Sequence, residues 1–332
     1  MLTLIIIILG TSFLLYTLLG GADFGAGIIE TFAGKREEKT ISKAIAPVWE
    51  ANHVWLILAV VILFTGFPQV YASLSLVLHI PLLIVLLGII FRGSAFTFRQ
   101  YDVTNDNVHP YFTALFRISS FITPVFLGMV LGAMILGRIT LDTSRSFYEV
   151  FIAPWLNLFC FSMGIFTSAL FAYISSVFLV GESRNEPERK MYVRFSKRAM
   201  AITIFTGLLV FIISGIEGRN LSGQFFQSRV SMAALLLAIG FCTFIWHFLN
   251  KKRNKTVYLR IGVGIQVTLV LISWFYIQYP ILINLQNGEH LTFFNTQAPI
   301  ATQKQLLIAL IAGLLLVVPG FVYLFNIFKI KK

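Results

Sequence analysis

The residues of this chain best suited to moving protons are Asp23, Glu50, Asn52 and His53. A carboxylate binds and releases a proton, an imidazole does so near neutral pH, and an amide orients both. Glu50 and His53 are three residues apart, which puts them on one face of a helix. Asp23 and Glu30 are seven apart and likewise share a face. All lie in or beside long apolar runs, where ionisable groups are costly and usually functional. The chemistry these types suggest is a proton entrance, with carboxylates and imidazole relaying protons into a dry interior. A plainer reading stands beside it. Glu50 could merely offset the dipole at a helix start, and Asp23 could neutralise Lys35, Arg36 or an arginine of a later segment.

The elements that must hold these groups follow from length. Val54 to Phe67 is apolar but covers only 14 residues, roughly 21 Å of helix against a hydrocarbon core of about 30 Å. Starting that helix at Pro47 gives the right span, and proline fits a first helical turn. Glu50, Asn52 and His53 are then drawn to the membrane edge or inside it. The first span runs the other way, and Asp23 lies ~32 Å along it from Leu2. Asp23, Glu50 and His53 are thus expected at one depth, on one side of the membrane. Gly21 and Gly25 form a small-xxx-small pair that lets another helix approach closely.

With 57% hydrophobic and 12% charged residues, the chain reads as an all-α polytopic membrane protein. Nine transmembrane helices are expected, over about 2–28, 47–67, 70–96, 111–137, 149–180, 198–216, 230–250, 257–277 and 304–328, in a single integral domain covering 1–332. Met1 to Leu19 lacks the basic start of a cleavable signal. Of the 26 basic residues, 21 fall on one side of this topology and 5 on the other. The positive-inside rule therefore puts the N-terminus outside and the C-terminus in the cytoplasm. This distribution also explains the net charge of +12 without a nucleic-acid partner. The longest outside connection, 278–303, is expected to form an ordered cap or a partner contact.

Other groups offer less. Cys160 and Cys242 sit inside apolar spans and imply neither disulfide nor metal site. The five histidines (His53, His79, His109, His247 and His290) are isolated from one another, so no metal or heme site is expected in this chain. Arg92 and Arg99 are seven apart, on one helical face. They either snorkel to the cytoplasmic edge or pair with Asp23, Glu50 or a partner subunit's carboxylates.

Four motifs then carry a resemblance. Gly-x-Asp-Phe-Gly-x-Gly (Gly21 to Gly27) and Pro-Val-Trp-Glu-x-Asn-x-x-Trp (Pro47 to Trp55) resemble subunit II of the cytochrome bd-type quinol oxidases. So do Phe-Pro-x-x-Tyr-Ala (Phe67 to Ala72) and Arg-Gly-x-Ala-Phe-x-Phe-Arg (Arg92 to Arg99). Length and expected topology extend the likeness to the whole chain. The resemblance implies two four-helix bundles plus one peripheral helix, in a bacterial cytoplasmic (inner) membrane. It implies no heme in this chain, and a heme-bearing subunit I holding two b-type hemes, heme d and the quinol site. The complex would oxidise quinol and reduce dioxygen to water with cytoplasmic protons, electrogenically and without pumping. Some members hold a structural quinone in this subunit, and the family admits a small single-span accessory subunit. The resemblance assigns the Glu50 position to a proton path, and with Asp23, Asn52 and His53 on the same side of the membrane these four are the expected proton-path residues. Glu30, Arg92, Arg99, Trp49 and Trp55 lend structural or ion-pair support. Family members commonly have aspartate where Glu50 stands, glycine at Ala51, a polar or acidic residue at His53 and an acidic one at Thr97. Two other classes are weighed against this one: an ion-coupled secondary transporter using the same carboxylates, and a b-type cytochrome with its own heme.

Overall fold

Proline and asparagine cut the apolar runs of this sequence into helices. The computed structural model describes residues 1–34, 38–101, 109–142, 144–251 and 256–330; the side chains of 39, 47, 50, 100, 101, 109, 322 and 324–330 also lie outside the description. In chain order the elements are α1 (Leu2–Ala33), α2 (Glu38–Gly66), α3 (Pro68–Val77), α4 (His79–Tyr101), α5 (His109–Leu136) and α6 (Phe147–Phe151). They continue with α7 (Leu158–Val180), α8 (Glu186–Ile216), α9 (Leu221–Gln227), α10 (Arg229–Leu249) and α11 (Thr256–Gln278). A short hairpin, β1 (Ile281–Asn284) and β2 (His290–Thr292), precedes α12 (Ile300–Ile330). Among the described residues eight helices are long and apolar enough to cross a membrane. The two parts of α2, Thr40–Ala46 and Ala51–Gly66, meet at 46° and together form a further candidate.

Several boundaries differ from the expected ones. Pro47 does not open its helix, because α2 reaches back to Glu38. The buried pair Ile41 and Ile45, one turn apart, anchors the added turns to the core. Proline inside a helix removes one backbone hydrogen bond and bends the rod, and the bend falls there. The segment 70–96 breaks at Leu78, just ahead of Pro81 in the first turn of α4. The segment 149–180 likewise divides into α6 and α7 around Pro154, and Asn157 caps α7 by accepting from the Cys160 N–H at 2.9 Å. At the other extreme α8 starts twelve residues before its expected first residue, 198, where Asn185 caps it.

The central element is α7, buried on nearly all sides; it packs against α1, α5 and α8. Helix α12 touches little besides α2 and is mostly exposed. The close approach of α1 to α7 depends on the two glycines. A Cβ at Gly25 would run into the Phe171 carbonyl and Ser175, and one at Gly21 would meet Ile174 at 2.8 Å. This is the small-residue contact expected from the spacing.

Two buried apolar clusters fill the interior. One, around Leu9, Phe67, Ile135 and Ile283, lies at the hairpin end; the other, around Phe24, Ile41, Phe116 and Ile174, lies at the Glu30 end. The 278–303 segment caps the first cluster. Asn284 donates to the Ile135 carbonyl at 3.1 Å, the Ala298 N–H to that of Gly66 at 2.8 Å, and Phe293 packs edge-on against Phe67. These bonds satisfy helix-end carbonyls that would otherwise lack partners.

A polar tie joins α7, α10 and α11. Tyr173 donates to Gln266 Oε1 at 2.7 Å, and Gln266 Nε2 donates to the Ala238 carbonyl at 3.0 Å. Tyr173→Phe leaves the buried Gln266 oxygen without its donor, which should cost ~1–3 kcal/mol. The expected reading is a lower thermal midpoint of the purified complex; an unchanged midpoint would show that the tie contributes nothing.

Candidate functional site

Acidic residues seven apart on α1 face basic residues seven apart on α4, so both rungs form in the same register. Seven residues rise ~10.5 Å on each helix. On the first rung, Arg92 Nη2 donates to Asp23 Oδ1, and neither side chain is exposed at all. On the second, Arg99 Nη2 donates to Glu30 Oε2 at 3.1 Å while its Nε donates to Glu38 Oε1 at 3.1 Å. Arg117 of α5 completes this rung, donating from Nε to Glu30 Oε1 at 3.1 Å. The Phe116 ring lies 5.1 Å from the Arg92 guanidinium and 4.6 Å from that of Arg99. Phe24 and Phe96 also face Arg92, at 5.5 and 5.6 Å. Aromatic faces thus help offset a guanidinium removed from water.

This settles the competing readings of the arginine pair. Arg92 and Arg99 do not snorkel; they are buried and ion-paired. Asp23 finds its cation in Arg92, whereas Lys35 and Arg36 lie outside the described residues. Arg117 and Glu38 were not singled out from the sequence. Nothing in their local spacing connects them with Glu30, because the rotation of α5 and the backward extension of α2 make those contacts.

The first rung is incompletely satisfied. Asp23 Oδ2 has no protein hydrogen-bond partner among the described residues, nor do Arg92 Nε and Nη1. Asn52, fully buried on α2, lies within reach of the Asp23 carboxylate and against Gly20, where a Cβ would sit 3.0 Å from its Oδ1. Its amide nevertheless makes no hydrogen bond of ordinary geometry among the described residues. Tyr16, two turns before Asp23 on the same face of α1, is also buried, and its hydroxyl has no hydrogen-bond partner among the described residues. Burying such atoms dry costs on the order of 1–3 kcal/mol each. Folded proteins avoid this by placing water beside them.

The remaining expected residues are distributed around this centre. The half-buried His53 packs its ring edge-on to Trp49 at 5.7 Å, with no hydrogen bond to Asp23 or Asn52 among the described residues. Trp49 rests on α4, 5.5 Å from Phe96 and against Gly93. Trp55 is buried farther along α2, 6.0 Å from Phe321 of α12. Only the backbone of Glu50 is described. It lies inside α2 at the bend between the two parts, not in a first turn, so the helix-start reading of this residue does not hold. Among the described residues no group of three or more His, Cys, Asp and Glu side chains is arranged to hold a metal ion.

Comparison with known proteins extends over the whole chain. Residues 1–328 match the family described as cytochrome bd terminal oxidase subunit II. A relative named cytochrome bd ubiquinol oxidase subunit 2, from Bacillus subtilis (strain 168), is 24% identical over 329 residues, covering 97% of this chain and 94% of that protein. A second protein of the same organism, named putative cytochrome bd menaquinol oxidase subunit II, is 26% identical over 96% of this chain and 92% of its own length. The fold superposes on a chain of the bd oxidase from Geobacillus thermodenitrificans with a TM-score of 0.80, at 19% identity, covering 100% of this chain and 99% of the other.

Proposed function

Because this chain belongs to the cytochrome bd terminal oxidase subunit II family, and so is a subunit of a quinol-oxidising oxidoreductase complex, we propose that it conducts protons from the cytoplasm toward its partner. One observation carries this reading: a fully buried carboxylate with one oxygen on Arg92 and the other, Oδ2, without a hydrogen-bond partner among the described residues. The bound oxygen fixes the group in place, and the free one can accept a proton and give it up. Arg92 balances the ionised carboxylate, and its unpaired charge when Asp23 is protonated favours release of that proton.

In this reading Glu50 is the entry group, Asp23 the buried station, Asn52 the amide that orients what lies between them, and His53 an auxiliary near the mouth. Glu30, Arg99, Glu38 and Arg117 form a fixed ion cluster around the entrance. Counting the bent α2 as one crossing gives nine spans. The basic-residue asymmetry then puts the Glu30 end in the cytoplasm and the hairpin cap outside, in a bacterial inner membrane. The spans divide into two four-helix bundles with α12 peripheral. In this reading the chain itself binds no heme, as the family resemblance implies. Two b-type hemes, heme d and the quinol-oxidation site belong to subunit I. A structural quinone and a small accessory subunit fit the same reading. An ion-coupled transporter is not favoured, since the family match covers nearly every residue.

Glu50→Gln tests the path. Removing the ionisable proton at the entry should slow quinol-driven oxygen consumption by about tenfold or more while the heme spectrum of the complex stays intact. Normal turnover would remove Glu50 from the path; loss of the hemes would make it structural.

A further inference from the structure

Glu30, Asp23 and Tyr16 follow one another at seven-residue spacing on a single face of α1. Beyond them the polar seam stops. Seven residues before Tyr16 is Leu9, buried and apolar, and one turn before it the Ser12 hydroxyl is held by the Ile8 carbonyl at 2.8 Å. The cations of α4 stop one rung earlier. Seven residues before Arg92 that helix carries the buried Val85. Tyr16 is therefore the third rung of the ladder, with no cation opposite and no hydrogen bond of its own among the described residues.

Resting on the proton-path reading above, we propose that Tyr16, Asp23, Asn52 and Arg92 enclose bound water, and that Tyr16 is the innermost relay group this chain contributes. Six atoms support the hydration: the Tyr16 hydroxyl, Asp23 Oδ2, both amide atoms of Asn52, and Nε and Nη1 of Arg92. A buried water needs two to four polar partners, and these atoms supply both donors and acceptors. The relay balances without any charge left on the phenol. Water on the Asp23 side donates a proton to the Tyr16 oxygen as the hydroxyl releases its own proton to a water molecule farther in. The step carries a proton some 10 Å deeper than Asp23, the rise of seven helical residues. Phenylalanine could fill the same space but offers no such passage.

The test compares Tyr16→Phe with Glu50→Gln in the purified, heme-loaded complex reconstituted into vesicles. It records the rate of the membrane-potential phase after the reduced enzyme meets oxygen, and the thermal midpoint. Tyr16→Phe should slow that phase by about tenfold or more while leaving the midpoint equal or higher, because no protein hydrogen bond is lost. A slowed phase with a lowered midpoint would mean that Tyr16 supports the fold, and would overturn the relay. So would an unchanged phase. If Glu50→Gln slows uptake and Tyr16→Phe does not, the path survives without this member; if neither does, the path itself fails. Should Tyr16→Phe not assemble, Tyr16→Met, similar in bulk and lacking the hydroxyl, takes its place with the same criteria.

Discussion

Arg92→Leu is expected to remove the assembled complex from the membrane. The guanidinium and the Asp23 carboxylate are both wholly buried, and neither has another ionic partner among the described residues. Taking away one member of such a pair leaves an uncompensated charge in an apolar interior, at a cost of ~3–5 kcal/mol. That is a large part of the 5–15 kcal/mol by which folded proteins typically exceed their unfolded states. Exchanging both residues for apolar ones of similar size is often neutral. The double variant Asp23→Leu/Arg92→Leu should therefore recover much of the assembly that Arg92→Leu loses. It should turn over slowly all the same, because the buried carboxylate is gone. Heme content in solubilised membranes and quinol-driven oxygen uptake separate the two effects. Equal assembly in the single and double variants would show that the pair is not what holds α4 to α1.

Gly25→Leu should be comparably severe, for a steric reason. The α1 backbone rests on the Phe171 carbonyl of α7 at this point, and a side chain cannot be accommodated by turning a rotamer. The two helices would have to separate along a contact that also carries Gly21, loosening the packing around Phe171 and Ile174. Backbone shifts of this kind cost ~1–3 kcal/mol or more. The displacement also moves Asp23, two residues away, out of register with Arg92. Low yield of the complex by gel and by heme spectrum is the expected outcome. Wild-type yield with wild-type thermal stability would mean that α1 and α7 can part without consequence. Gly10, which faces open space on the same helix, is the control: Gly10→Leu should be tolerated.

Much of this arrangement follows from residues that can be read locally. Hydropathy specifies a polytopic helical protein, and the twenty-one-to-five split of basic residues gives its expected orientation, since burial of apolar runs and charge placement are one-dimensional properties. The seven-residue spacings of Asp23 with Glu30 and of Arg92 with Arg99 specify two faces, because helical periodicity is local. The Gly21–Gly25 pair marks a helix contact without saying which helix fills it. The motifs around Asp23 and Glu50 carry the resemblance to the family that the match over residues 1–328 shows.

What the tertiary structure decided is who meets whom. That Asp23 takes Arg92, that Glu30 takes Arg99 and Arg117, and that Glu38 joins them depends on the rotation and height of four helices. Those quantities minimise packing and desolvation energies over the whole molecule, so no short window of sequence contains them. Pro47 shows the same limit. Proline suits a helix start and also a kink, and the choice fell to the kink because Ile41 and Ile45 gain burial only if the helix continues backwards. Tyr16 shows it most clearly. Along the chain it is one aromatic residue of an apolar run; only the folded protein makes it a buried hydroxyl without a partner among the described residues, in line with the carboxylate two turns away.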